Sequence, residues 1–403
     1  MQKFTIVVFQ RRLSFLLVWS LLLLYSCKDD KPEPVDPPVE ENKYLKESSA
    51  ITELTKDQVA QKAGALSPIL VSYVKNGIKV YKITYKTKNT DGSEITASGA
   101  LILPSTPNPA SMISVQHGTI REDASAPSNF NEGAEAASFG SLFGSMGYII
   151  AYPDYIGYGA SKDLPHPYEH RASLASASLD MLRASKEFLK GQKDVKWDEK
   201  LYIAGYSEGG YATMSLHKML EEQAPGEFNL RASSCGAGAY DKTAFMNHVV
   251  NTTTHGIASY NALYTWVLLT YDRIYNLNRP ASYYFKEPFA TNITANGISA
   301  PISQSFNTAL NESFKTDLND GKDKKFVDAI ADNDVYNWKP KVPVQLYHGD
   351  KDNLVFYFNS VKAYDTMKAL GANVTLTPVP GGTHSSSITA YLIGTLAFFT
   401  STK

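Results

Sequence analysis

Leu201-Tyr202-Ile203-Ala204-Gly205-Tyr206-Ser207-Glu208-Gly209-Gly210-Tyr211 is the stretch that decides the fold of this chain. Its apolar start, 201–204, reads as a buried strand, and Ala212, Leu216, Met219 and Leu220 then fall on one face of a helix. Between strand and helix stands Gly-x-Ser-x-Gly. A serine on so sharp a turn takes strained dihedral angles, and glycines two before and two after it leave room for the crossing. The turn lifts the hydroxyl to a helix N-terminus, where the helix dipole favours developing negative charge. The bare pattern is a weak signal, but a strand before it and a helix after it make it specific. Ser207 is the candidate nucleophile.

A serine hydroxyl needs a base, and the base needs an acid to hold its tautomer. Among the eight histidines, His384 is best placed, in Gly381-Gly382-Thr383-His384 after the apolar run 374–379 and before the helical pattern of 386–399. His166, His170, His217, His248 and His255 lie in helical, loop or insertion segments, where a satisfied structural histidine is the default. The acid should follow an intervening strand. Residues 342–347 run into His348-Gly349-Asp350-Lys351-Asp352, and Asp352 is the candidate, with Asp350 and Asp241 as alternatives. Gly349 predicts a turn, so only one of Asp350 and Asp352 should face His384. The chain order is Ser, Asp, His.

Further apolar runs at 112–116 and 148–152, with a weaker one at 230–233, read as buried parallel strands. Residues 80–88 and 94–103 form a hairpin pattern around Asn89-Thr90-Asp91-Gly92, and Leu174, Met181, Leu182, Phe188 and Leu189 share a helix face. The fold class is therefore α/β, a mostly parallel sheet flanked by helices. Residues 242–339 break the alternation. They carry no convincing strand, and 260–271 reads as a helix apolar nearly all round, so the segment is expected to cap the strand ends rather than form a detached helical subdomain. Trp266 and Leu268 on that helix are the expected pocket residues.

These residues resemble an α/β-hydrolase over nearly all of 80–400. Gln116-His117-Gly118-Thr119 is similar to the His-Gly oxyanion loop of that superfamily. Pro153-Asp154-Tyr155-Ile156-Gly157-Tyr158-Gly159 and His166-Pro167-Tyr168 resemble segments of secretory-lipase-like bacterial esterases. The resemblance implies a Ser-His-Asp ester hydrolase whose helical cap is inserted before the acid-bearing strand. It also implies an oxyanion hole formed by the N–H groups of Glu208 and Thr119, with Gly118 as the alternative second donor. No metal or organic cofactor is implied. A peptidase of the same fold and a non-catalytic binding lipoprotein are the rival readings. Glu208 beside the nucleophile leaves the first open, whereas an intact Ser207, Asp352 and His384 argues against the second.

Composition sets the limits around this site. With 39 Lys+Arg against 40 Asp+Glu the net charge is −1, which excludes a nucleic-acid binder working through a basic surface. Two cysteines, Cys27 and Cys235, make no disulfide framework, and Cys235 reads as a small buried apolar residue. Lys3, Arg11 and Arg12 precede an apolar run, 13–24, that is short for a membrane span and reads as a secretory signal over 1–26. Leu24-Tyr25-Ser26-Cys27 resembles a lipobox, which makes Cys27 the expected lipidation site, and residues 27–43 read as a Pro- and acid-rich tether. Cys27-Lys28-Asp29-Asp30 is similar to a surface-export signal of Bacteroidetes-type lipoproteins. The expected partners are an ester substrate and a membrane reached through the N-terminal lipid, and the expected location is the outer membrane of a bacterial envelope.

Overall fold

The computed structural model describes residues 42–402, which contain nine strands. They are β1 (Leu45–Leu54), β2 (Ile78–Lys88), β3 (Glu94–Pro104), β4 (Ala110–Gln116), β5 (Ile149–Pro153), β6 (Trp197–Tyr206), β7 (Asn229–Gly236), β8 (Val344–Gly349) and β9 (Val374–Val379). One sheet takes them in the order β1-β2-β3-β5-β4-β6-β7-β8-β9. The strands from β1 to β3 pair antiparallel, β3 meets β5 antiparallel, and every pair from β5 to β9 is parallel. Each strand read from the sequence is present, including the weaker candidate, which forms β7.

Helices cover both faces because the central strands bury both. Ile113, Val115, Tyr202 and Ala204 face α1 (Lys56–Leu66) and α2 (Ser141–Ser145). Met112, Leu201 and Ile203, alternating with them, face α3 (Arg171–Lys190) and α4 (Glu208–Glu222). Between β7 and β8 the described residues form seven helices: α5 (Lys242–Asn251), α6 (Ala258–Ile274), α7 (Ala281–Tyr284), α8 (Phe289–Asn296), α9 (Phe306–Ala309), α10 (Glu312–Asn319) and α11 (Lys324–Asp332). They share an aromatic core of their own, with Tyr264, Tyr271, Tyr284, Phe306, Phe314 and Phe326 all buried. Ser259, Tyr260 and Leu263 of α6 meet Ser207 across one cavity, so the insertion is a cap over the strand ends. The chain closes with α12 (Phe358–Ala369) and α13 (Ile388–Ser401), the latter packing Leu392, Leu396 and Phe399 against the same face as α1 and α2.

Two of the elements without a counterpart in the sequence analysis show why they were missed. The strand β1 is polar and half exposed, and only its antiparallel pairing with β2 makes it a strand. The helix α1 does carry a signal: Thr55 and Gln58 form a reciprocal capping box at its start. The signal segment 1–26, Cys27 and the tether up to residue 41 lie outside the described residues. Where the description begins, the Glu187 carboxylate accepts the N–H groups of Lys43, Tyr44 and Leu45. Among the described residues, no helix is long and apolar enough to cross a membrane.

Candidate active site

The turn from β6 into α4 holds Ser207 at φ 61° and ψ −125°, and its N–H is anchored on Gly236 O at 2.9 Å. A side chain at Gly205 would collide with the carbonyl of Gly209, and one at Gly209 with the carbonyl of Gln116. The two glycines of the motif are thus demanded by backbone crowding between β4, β6 and α4. Positive φ at Ser207 is strain, which the surrounding sheet holds in place.

Ser207 Oγ lies 2.9 Å from His384 Nε2, and His384 Nδ1 lies 2.6 Å from Asp352 Oδ2. Both partners are buried, whereas Asp350 is exposed and accepts only the Gly381 N–H. Asp241 caps α5 by accepting the Ala244 N–H. The chain does turn after Gly349, with Asp352 N–H donating to Gly349 O at 3.2 Å, and so Asp352 alone faces the histidine. Its other oxygen accepts the N–H groups of Leu354 and Val355.

Two supporting groups escape the sequence analysis. His348 Nε2 donates to Val355 O and stands 3.2 Å from Asp352 Oδ2, while Ser360 Oγ meets its other nitrogen. Its position in the stretch ending at Asp352 is visible in the sequence, but its contact depends on how the loop folds back. Burial alone would raise the Asp352 carboxyl; His348 and His384 more than reverse that and hold it at about 2. Since this is below its ordinary value of 3.8, the stability it contributes is present above that value and is lost as pH falls through about 2. The second group is Tyr206, whose hydroxyl donates to His384 O at 2.7 Å and ties down the loop that carries His384.

The loop after β4 lines the same cavity as Ser207. Gly118 N–H donates to Glu135 Oε1 at 3.1 Å, and the other Glu135 oxygen accepts the Tyr152 hydroxyl. Gly118 is therefore committed to an internal carboxylate, while Thr119 sits beside Ser207 on the wall of the same cavity. That cavity measures about 350 Å³. Phe139, Phe143, Ile388 and Leu392 wall it below, and Tyr260 and Leu263 wall it on the cap side. The expected pocket residues are corrected here. Trp266 is turned onto Tyr168, with stacked rings 4.4 Å apart, and Leu268 is wholly buried in the cap core. On a helix of 3.6 residues per turn, the face holding Ser259, Tyr260 and Leu263 excludes Leu268 and carries Trp266 a full turn further along.

Cys235 is buried, and burial pushes its thiol up, away from nucleophilic chemistry. Among the described residues, no group of three His, Cys, Asp or Glu side chains could hold a metal ion.

The sequence model of the secretory lipase family matches residues 128–400. Among solved structures, the chain is similar to a Legionella pneumophila protein at 26% identity and a TM-score of 0.79, covering 89% of this chain and 98% of that one. It shares its fold with the rice cell wall degrading esterase LipA from Xanthomonas oryzae, at 23% identity, a TM-score of 0.73 and coverage of 88% and 95%. The same holds for Candida antarctica lipase A in its closed state, at 16% identity, a TM-score of 0.61 and coverage of 88% and 83%. No curated protein matches the chain. The family match takes in Ser207, the cap, Asp352 and His384, and the chain belongs to the secretory lipase family as a carboxylic ester hydrolase.

Proposed function

We propose that this hydrolase is a serine esterase in which Ser207, His384 and Asp352 act as a triad through an acyl-enzyme. The unbroken chain of contacts from Ser207 Oγ to His384 to Asp352, at 2.9 and 2.6 Å, carries this reading. His384 Nε2 takes the proton as Ser207 Oγ attacks the ester carbonyl, and Asp352 stabilises the imidazolium. The same proton passes to the leaving alcohol as the tetrahedral intermediate collapses, leaving the acyl group on Ser207. Water, deprotonated by His384, then attacks the acyl-enzyme and releases the acid. The N–H groups of Glu208 and Thr119 hold the oxyanion, each worth on the order of 10²–10³ in rate. Commitment of the Gly118 N–H to Glu135 supports Thr119 as the second donor.

An aminopeptidase would need a free carboxylate to hold a substrate amine. Glu208 is paired with His166 and Glu169 with Lys242, both buried, which favours an ester substrate. The acyl chain is assigned to the 350 Å³ cavity, whose size suits a small-molecule site and whose walls are mainly apolar. A panel of nitrophenyl esters from acetate to palmitate, run beside aminoacyl anilides, tests the function. Esters should be cleaved and anilides should not, and faster anilide cleavage would refute the reading. Ile388→Trp should narrow the cavity and slow long acyl chains by about 10- to 100-fold while acetate is little affected. Trp266→Ala, outside the cavity, should change all chain lengths by the same factor. An equal loss on every chain in Ile388→Trp would place the acyl group elsewhere.

The enzyme is further proposed to be held on the outer membrane through lipidated Cys27. The lipobox-like Leu24-Tyr25-Ser26-Cys27 supports this. Labelled palmitate should be incorporated by the native chain and lost in Cys27→Ala; labelling that survives the substitution would remove Cys27 from the role.

A further inference from the structure

His166 sits outside the triad, yet both its ring nitrogens face oxygen. Nδ1 lies 2.7 Å from Ile156 O and Nε2 lies 2.8 Å from Glu208 Oε1, with both side chains nearly inaccessible to solvent. A carbonyl oxygen only accepts, so Nδ1 carries a proton. The short contact from Nε2 to the Glu208 carboxyl then requires a second proton, shared between imidazole and carboxylate. Aromatic rings enclose this group: Tyr158 at 4.9 Å, Trp266 at 5.5 Å, and Tyr155 and Tyr168 at 6.1 Å between centroids.

The same tyrosines reach the loop after β4. Tyr155 OH donates to His117 O, Tyr158 OH donates to Ile120 O at 2.6 Å, and Tyr168 OH meets Thr119 Oγ1 at 3.0 Å. Three rings packed on one histidine thus hold three residues of the oxyanion loop. The histidine itself holds Glu208, the first residue of α4 and the one after the nucleophile. The two proposed oxyanion donors, Thr119 N–H and Glu208 N–H, come from separate elements of the fold. His166 is where their supports meet.

We propose that His166 and Glu208 share one buried proton and form, with Tyr158 and Tyr168, a clamp that sets the distance between the two oxyanion donors. These are positioning residues, and the inference rests on the reading of Ser207 as nucleophile. It also gives the His-Pro-Tyr segment a physical role, in which His166 grips α4 and Tyr168, two residues on, grips the loop. Trp266 serves as a wall of this clamp rather than of the acyl cavity.

The test uses Glu208→Gln, which keeps shape and loses the carboxylate, and Tyr168→Phe, which removes only one hydroxyl. Active sites are first counted by fluorophosphonate titration, so that misfolded protein does not enter kcat. A misplaced donor should lower kcat per titrated site by about 10- to 100-fold, with KM within about threefold. The affinity of a trifluoromethyl ketone, which mimics the oxyanion, should fall by the same factor. In the native enzyme, nitrogen-15 spectra should show His166 protonated at both ring nitrogens. Normal kcat per titrated site with a lower melting temperature would reduce the cluster to fold support and overturn the clamp. So would a His166 ring bearing one proton together with an ionised Glu208. Absence of any fluorophosphonate label on native Ser207 would instead remove the serine-esterase reading itself, and the clamp with it.

Discussion

Ser207→Ala should abolish fluorophosphonate labelling and lower kcat by about 10⁴ or more while the fold is retained. The size of the effect follows from geometry. Ser207 Oγ is within 2.9 Å of His384 Nε2, and removing the hydroxyl removes the covalent step itself. Retained folding is expected because the Ser207 N–H bond to Gly236 O and the positive φ belong to the backbone. Alanine at this positive φ bears a strain that serine already carries. Mass spectrometry of the labelled native peptide checks the assignment. Label found on Ser161 or Ser385 would overturn it. Ser161 is buried with its hydroxyl on Tyr158 O, and Ser385 is exposed next to His384 in the chain, so neither is set up to compete.

Asp352→Asn carries the second large loss, about 10⁴ in kcat, with Ser207 still present and labelled only slowly. An asparagine keeps the shape but can present an N–H where His384 Nδ1 must donate, so the imidazole settles in the wrong tautomer. His348 adds to the effect, because its Nε2 stands 3.2 Å from Asp352 Oδ2 while donating to Val355 O. With the native carboxyl held at about 2, Asp352 stays ionised across the working pH range and does not set the acid limb of the rate profile. Asp350→Asn should keep most of its rate, since that side chain is exposed and only receives the Gly381 N–H. Asp241→Asn should do the same, because asparagine caps a helix about as well as aspartate. A near-normal kcat for Asp352→Asn would transfer the role to one of these two.

Local chemistry is readable in the chain. The strand, Gly-x-Ser-x-Gly and helix of 201–220 obey rules that act over a few residues, and so do the apolar runs of the parallel strands. Gly349 marks the turn that lets only one of Asp350 and Asp352 face His384, and the fold gives that contact to Asp352. The edge strand β1 lacks such a rule: its residues are polar and half exposed, and its state is set by β2, more than twenty residues away. The helix α1 escapes for another reason, since its capping box is present but its face is only weakly apolar.

The sequence by itself determined the class of fold, brought out Ser207, Asp352 and His384 as candidates in that chain order, and marked the insertion between β7 and β8. Each rests on short-range pattern, in which a residue's type and its neighbours limit the conformation. Only the tertiary structure decided which face of α6 meets the cavity, and it turned Leu263 inward where Trp266 and Leu268 had been expected. Only it could place His348 behind Asp352, Glu135 under Gly118, and His166 between Glu208 and three tyrosines. The last two join separate segments of the chain, the first depends on how one loop folds back, and a hydrogen bond is specified by distance and angle in space, quantities that no local pattern of residues encodes.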